Sequence, residues 1–250
     1  MIDLSGNNII ITGASSGIGR ACAVLANSLG ANVVLVARDI DRLNQTADLL
    51  DVGSYLLLSK DLTNHNEYHD IVKESVNKFG RIDGMVHCAG IEQTIPLRMM
   101  RPKSYYDLFS LNVIAGFELA RFITKKGNYV ESNCSIVFVS SVMAELGQPG
   151  KIGYCSSKGA LVSGARSMAL ELASKNIRVN CVLPGIVKTE MVENLFSSLT
   201  DDLVDSIIER HPLGVGEPVD VAKACIFLLS SSSKWITGSS LNIDGGYSAK

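Results

Sequence analysis

Seven short apolar runs, separated along the whole chain by longer stretches of helical periodicity, limit what this sequence can fold into more than any other feature. The runs are NIIIT (8–12), NVVLVA (32–37), YLLLS (55–59), GMVHCA (84–89), SIVFVSS (135–141), IRVNCVL (177–183) and SSLNID (239–244). They are nearly continuous in apolar residues rather than alternating, as parallel strands covered by helices on both faces require. Between them, GRACAVLANSLG (19–30) and HDIVKESVNKFG (69–80) carry apolar residues at helical spacing and end in Gly30 and Gly80, which read as C-caps. This sustained β-α alternation predicts an α/β fold: a doubly wound, Rossmann-like parallel sheet of seven strands with helices on both faces, one domain over 1–250. Ligands bind such sheets at the carboxyl ends of the strands. The rhythm breaks at 188–217, a long helical insertion ending in a Pro/Gly-rich loop, where a lid or substrate wall is expected.

Several partner classes are disfavoured. The formal net charge is -2 and both signs are scattered, so no basic stripe is present to meet nucleic-acid phosphates or anionic lipid. Apolar runs such as CIFLL (225–229) fall far short of the roughly 20 residues that span a bilayer. The start MIDLSGNN has Asp3 and no basic residue, which does not read as a secretory signal. Cys22, Cys88, Cys134, Cys155, Cys181 and Cys225 form no C-x-x-C pair, so we expect free thiols, no metal, and a cytoplasmic location.

TGASSGIG (12–19) follows the first strand and opens the first helix. An ordinary turn could carry these glycines, but this is the context a dinucleotide-phosphate loop demands. Gly13 would permit the tight turn, Gly17 the approach of a pyrophosphate to the backbone, and Gly19 close packing of helix on strand. An acidic residue at the end of the second strand would hold the ribose 2′-hydroxyl of NAD. Here Ala37 stands in that place and Arg38 follows, whose guanidinium suits the 2′-phosphate of NADP. The alternative is that Asp39 supplies the acid slightly late and NAD is used.

YCSSK puts Tyr154 and Lys158 one helical turn apart on one face, and no other tyrosine has a lysine at that spacing. Ser141 lies thirteen residues earlier, at the carboxyl end of the fifth strand. Asn112, in SLNV, is polar in an apolar neighbourhood near the middle of the expected fourth helix, and an interior asparagine needs partners.

Over residues 5 to 247 these motifs together resemble the short, single-domain branch of the short-chain dehydrogenase/reductase family. The resemblance implies a catalytic tetrad of Asn112, Ser141, Tyr154 and Lys158. Tyr154 would be general acid in reduction and base in oxidation. Lys158 would lower the tyrosine pKa and hold the nicotinamide ribose, Ser141 would steady the substrate carbonyl, and Asn112 would position a water. It also implies that Gly13, Ser15, Ser16, Gly17, Ile18 and Gly19 meet cofactor phosphates, Asp61 and Leu62 the adenine, and Ala89 and Gly90 the cofactor after strand four. Pro184, Gly185, Val187 and Thr189 of PGIVKT would lie beside the nicotinamide. RHPLGVGEPVDVAKACIFLLS and ITGSSLNIDGG look like the 3-oxoacyl-acyl-carrier-protein reductases, implying a small-molecule or acyl-thioester carbonyl substrate. Such relatives are usually homotetramers with helices four and five and the last strand at the interfaces. An NAD-dependent sugar or polyol dehydrogenase is the alternative enzyme, and an idle cofactor-binding interaction module the alternative from another class.

Some residues depart from that pattern. His87-Cys88-Ala89-Gly90 replaces the family's usual Asn-Asn-Ala-Gly, and His87 reads as a core histidine. Lys175 stands where carrier-binding reductases tend to place an arginine. His65 and His69 have the spacing of a zinc helix without its following glutamate, and read as the solvated start of helix three. Cys155, next to Tyr154, points to another helix face and reads as structural.

Overall fold

In a computed structural model, which describes residues 2–51, 54–197 and 199–249, every apolar run becomes a strand of one parallel sheet. The strands are β1 (Asn8–Thr12), β2 (Asn32–Ala37), β3 (Tyr55–Ser59), β4 (Gly84–His87), β5 (Cys134–Val139), β6 (Ile177–Pro184) and β7 (Ser240–Ile243), in the order β3-β2-β1-β4-β5-β6-β7. Successive side chains alternate between two buried layers. Ile10, Val34 and Val36 pack with Tyr68, Ile71, Leu119 and Leu161 on one face, and Ile9, Ile11, Val33 and Leu35 pack with Cys22, Leu43 and Val221 on the other. Two helix layers thus remove both faces of the central strands from water, which explains why their runs lack polar alternation.

The first layer holds α3 (Glu67–Phe79), α4 (Pro102–Phe109), α5 (Ala115–Ile123) and α6 (Ile152–Leu172). The second holds α1 (Gly17–Ser28), α2 (Ile40–Ala47) and α9 (Pro218–Leu229). Gly80 caps α3 at φ 90°, and Gly30, just past α1, has φ 91°, as the C-cap reading required. The expected helical insertion is made of two short helices, α7 (Glu190–Phe196) and α8 (Asp201–Glu209), with Thr200 at the start of the second. Ser198, within that insertion, lies outside the described residues. The expected fourth helix is also interrupted, by a π turn over Ser110–Ile114 between α4 and α5. No helix among the described residues is long and apolar enough to cross a membrane.

Candidate active site

The strand order reverses between β1 and β4, and loops diverging there open a crevice at the carboxyl edge of the sheet. Gly13 makes the first turn with φ 67°, and a Cβ there would stand 2.9 Å from the Ala89 nitrogen. Gly19 has a different reason from the one expected: its Cβ would lie 2.2 Å from the Gly13 carbonyl oxygen, so it packs on the loop itself rather than on the strand. Both glycines bring β1, α1 and the segment after β4 together. Ser16 N-caps α1 without using its side chain, leaving that hydroxyl and the first helix amides facing the groove.

Gly13, Ser15, Ser16, Gly17, Ile18, Gly19, Arg38, Asp61, Leu62, Ala89, Gly90 and Thr189 line this groove. It continues into a second cleft through Ile18, Gly90 and Thr189, where Ser141, Tyr154, Lys158, Pro184, Gly185 and Val187 form the wall. Asp39 is not among the residues that line the groove: its carboxylate accepts from the Arg42 amide (3.1 Å) and caps α2. Asp61 accepts from the Thr63 amide (2.9 Å) and hydroxyl (2.8 Å). Arg42 bridges to Glu190 (2.6 Å), tying α2 to α7 above the groove.

Ser141 follows β5 rather than ending it, because it N-caps a 3-10 turn by accepting from the Met143 amide (3.2 Å). Burial drives the Tyr154 phenol up to about 12, a shift that its hydrogen bond with Ser141 opposes and the charge of Glu92 reinforces. This reverses the direction expected from Lys158. The Lys158 ammonium is itself buried and pushed down to about 8, donates to the Val139 carbonyl (2.9 Å), and lies 5.7 Å from the Tyr154 ring centroid. Burial is the dominant influence on both groups, raising the phenol and lowering the ammonium.

Asn112 sits one layer behind the cleft, fully buried. The π turn aims its amide at the segment after β4. Nδ2 donates to the Ile91 carbonyl (3.0 Å) and the Ser157 hydroxyl (3.0 Å), and Oδ1 accepts from the Ile91 amide (2.8 Å). Its need for partners is met by backbone and α6. A Cβ on Gly90 would lie 3.1 Å from Asn112 Oδ1 and 3.5 Å from Lys158 Nζ, so the missing side chain leaves a small polar gap between them.

His87 is buried, with Nδ1 2.9 Å from the Thr12 hydroxyl and its ring edge-on to Phe138. Burial pushes its pKa down to about 3, which leaves a neutral core ring at working pH. A Cβ on Gly116 would meet that ring at 2.8 Å. His65 precedes α3, so it and His69 share no helical face, and each is exposed against an aromatic ring. All six cysteines are free.

The far wall is built from Met143 and Gln148 after β5 and from Met191, Val192, Leu195, Ile207 and Arg210 of the 188–217 insertion, where a wall was expected. Glu92, Lys151, His211 and Tyr247 also line the cleft and were not singled out in the sequence. His211 bonds to the Ile207 carbonyl (2.9 Å) through Nδ1 and accepts from the Ile186 amide (3.1 Å) at Nε2, and it stacks on Tyr247. It thus joins α8 to the loop after β6. No sequence spacing signals a bond across 25 residues, whereas Lys151, three before Tyr154, was discoverable from helical periodicity.

Comparison with known proteins gives a consistent result. The sequence profile of a family described as enoyl-(acyl carrier protein) reductase matches residues 13–248. The 3-oxoacyl-[acyl-carrier-protein] reductase of Thermotoga maritima is 35% identical over 251 aligned positions, covering 97% of this chain and 98% of that protein. Carbonyl reductase family member 4 of Xenopus laevis is 35% identical over 237 positions, covering 94% and 95%. A solved short-chain dehydrogenase/reductase described as a glucose/ribitol dehydrogenase, from Brucella melitensis, superposes with a TM-score of 0.90 at 31% identity, covering 98% of each chain.

Proposed function

The chain belongs to the short-chain dehydrogenase/reductase family of oxidoreductases, and on that footing we propose that it is an NADP-dependent ketone reductase whose substrates include 3-oxoacyl thioesters. The observation that carries this reading is the shared wall of Ser141, Tyr154 and Lys158, continuous with a groove floored by the glycine turn and the α1 N-terminus. That groove fits a dinucleotide: the Gly13 and Gly17 positions leave no side chain in the way, and the helix amides favour phosphate. Gly13 to Gly19 would hold the pyrophosphate, Asp61 and Leu62 the adenine, Ala89 and Gly90 the middle of the cofactor, and Pro184 to Thr189 with Lys158 the nicotinamide end. The reduced nicotinamide supplies a hydride equivalent when bound.

The remaining chemistry belongs to the chain. Ser141 donates a hydrogen bond to the substrate carbonyl oxygen and stabilises the charge that develops there. Tyr154, held in its protonated form by burial, delivers the proton to that oxygen; in oxidation it would take the proton back. Asn112 fixes the Ile91 segment and, with Lys158, borders the gap at Gly90, where a water would link Lys158 to solvent. The protonated phenol suits reduction at neutral pH. Lys175 is exposed in the turn before β6, so a carrier protein would find a lysine there. The free thiols suit a reducing, cytoplasmic compartment.

Arg38 is exposed on the groove while Asp39 is occupied by its own helix, which supports NADP over NAD. Side-by-side fluorescence titrations with NADPH and NADH test this. Wild type binds NADPH more tightly, and Arg38→Ala weakens NADPH by about 10- to 100-fold, the worth of a charge-assisted contact, while NADH changes by less than about twofold. Preference for NADH would return the polyol dehydrogenase reading, and binding of neither would revive the non-catalytic module.

We also read the protein as a homotetramer. Strand β7 is an open sheet edge carrying Leu241 (38% exposed), with Trp235 (97%) in the turn that leads into it and Leu170 (83%) near the end of α6. Light scattering should give about four times the 26.8 kDa chain mass. A monomeric mass at micromolar concentration would contradict this.

A further inference from the structure

Lys151 breaks the local rules of its position. It stands at the N-cap of α6 and makes no side-chain capping bond, although a cation at a helix N-terminus opposes the helix dipole. It is also buried, at 6% exposure, and a lysine is rarely buried unless paired. Its partner is Glu92, whose Oε1 accepts from both Lys151 Nζ and the Thr94 hydroxyl. Both charged residues line the cleft that holds Tyr154 and Ser141.

Stability gives no sufficient reason for this pair. Buried ion pairs often break even against apolar residues of similar size. The segments they join are already fastened, by the Ile95 amide donating to the Gly150 carbonyl (2.8 Å) and by Asn112 holding Ile91. Lysine has three N–H donors, and among the described residues only Glu92 takes one of them. Two polarised donors are therefore left on the cleft wall, one helical turn before the tyrosine and on its side of the helix.

Resting on the ketone-reductase reading above, we propose that Lys151, held by Glu92, selects substrates that carry a second carbonyl one methylene away from the one reduced. Lys151 Nζ donates to that second oxygen while Ser141 and Tyr154 hold the first. The adjacent Glu92 carboxylate makes the subsite neutral overall and repels a carboxylate, so an ester or thioester carbonyl is taken in preference to a free acid.

The test compares reduction of ethyl 3-oxobutanoate with that of heptan-2-one, which has the same chain length and no second carbonyl. Wild type, Lys151→Met and the charge-neutral Glu92→Gln/Lys151→Met double variant are measured with NADPH, with thermal midpoints recorded alongside. The ratio of variant to wild type for each ketone cancels their different intrinsic reactivities. Both variants should lose about 10- to 100-fold in kcat/KM on the oxoester, as for a hydrogen bond to a charged group, and stay within about threefold on heptan-2-one. The double variant should keep its thermal midpoint within about 4 °C. Equal losses on both ketones, or no loss on either, overturn the proposal while leaving ketone reduction intact. Preference of the wild type for free 3-oxobutanoate over its ester also overturns it. If the wild type reduces neither ketone, the functional reading and this one fail together.

Discussion

Tyr154→Phe should reduce kcat for ketone reduction by about 100- to 10,000-fold, the range that a positioned general acid contributes. The substitution removes one oxygen and little else. The ring of Phe still offers its face to Lys158 Nζ, 5.7 Å from the centroid in wild type, and the helix that carries it is held by the Ser157–Asn112 bond. Affinity for NADPH should therefore stay within about threefold, so the loss falls on the chemical step rather than on binding. Single-turnover rates and a cofactor titration on the same preparation separate the two. Turnover within about tenfold of wild type would remove Tyr154 from the mechanism.

Arg178→Met should be the costliest substitution for stability, at about 3 kcal/mol, with a fall in Tm of roughly 6–12 °C for a chain of this size. Arg178 starts on β6 and reaches across to the C-terminus of α9. Its Nη1 donates to the Leu228 carbonyl (2.8 Å) and to the Ser233 hydroxyl (2.8 Å) and carbonyl (3.2 Å). Its Nη2 donates to the carbonyls of Leu229 (3.3 Å) and Ser230 (3.2 Å). The guanidinium thus satisfies carbonyls that a helix end leaves open, where a positive charge also complements the helix dipole. Leu228 and Ser230 carbonyls keep Ser233 as a partner in the variant, but Leu229 has no side-chain donor to replace the arginine among the described residues. Because Arg178 lies at the opening end of β6, away from the cleft at its carboxyl end, kcat per folded molecule should be unchanged. A Tm within about 2 °C of wild type would show that the cap contributes little.

Much of this architecture is legible in the sequence because parallel strands announce themselves by lacking alternation. NIIIT, NVVLVA and YLLLS have the bounds of β1, β2 and β3. The strand ends that were misjudged are those where side chains compete with the ladder. SIVFVSS stops at Val139 because Ser141 bonds into the following turn, and GMVHCA stops at His87 where the chain turns past Gly13. The interruption at Asn112 is invisible to periodicity, since SLNV satisfies a helical pattern as well as a π turn does. The single insertion expected at 188–217 divides near its Ser/Thr-rich middle, where Thr200 opens a new helix.

In the site, residues close in sequence to a glycine turn or a helical Tyr–Lys spacing were found, and their convergence on one cleft followed from the sheet. The electrostatics were not legible. The tyrosine stands above its ordinary pKa and the lysine below its own because burial acts on both groups, and burial is a property of the folded cleft. Lys151 and Glu92 are 59 residues apart, so no local pattern pairs them.

The most direct test of the central claim is to supply NADPH doubly deuterated at the nicotinamide C4 with ethyl 3-oxobutanoate and to analyse the alcohol formed by mass spectrometry. The account predicts one deuterium on the carbinol carbon per molecule reduced, and a loss of labelled product in Tyr154→Phe that matches its loss of turnover. Alcohol formed without the label, or no alcohol from protein that binds NADPH, would contradict it.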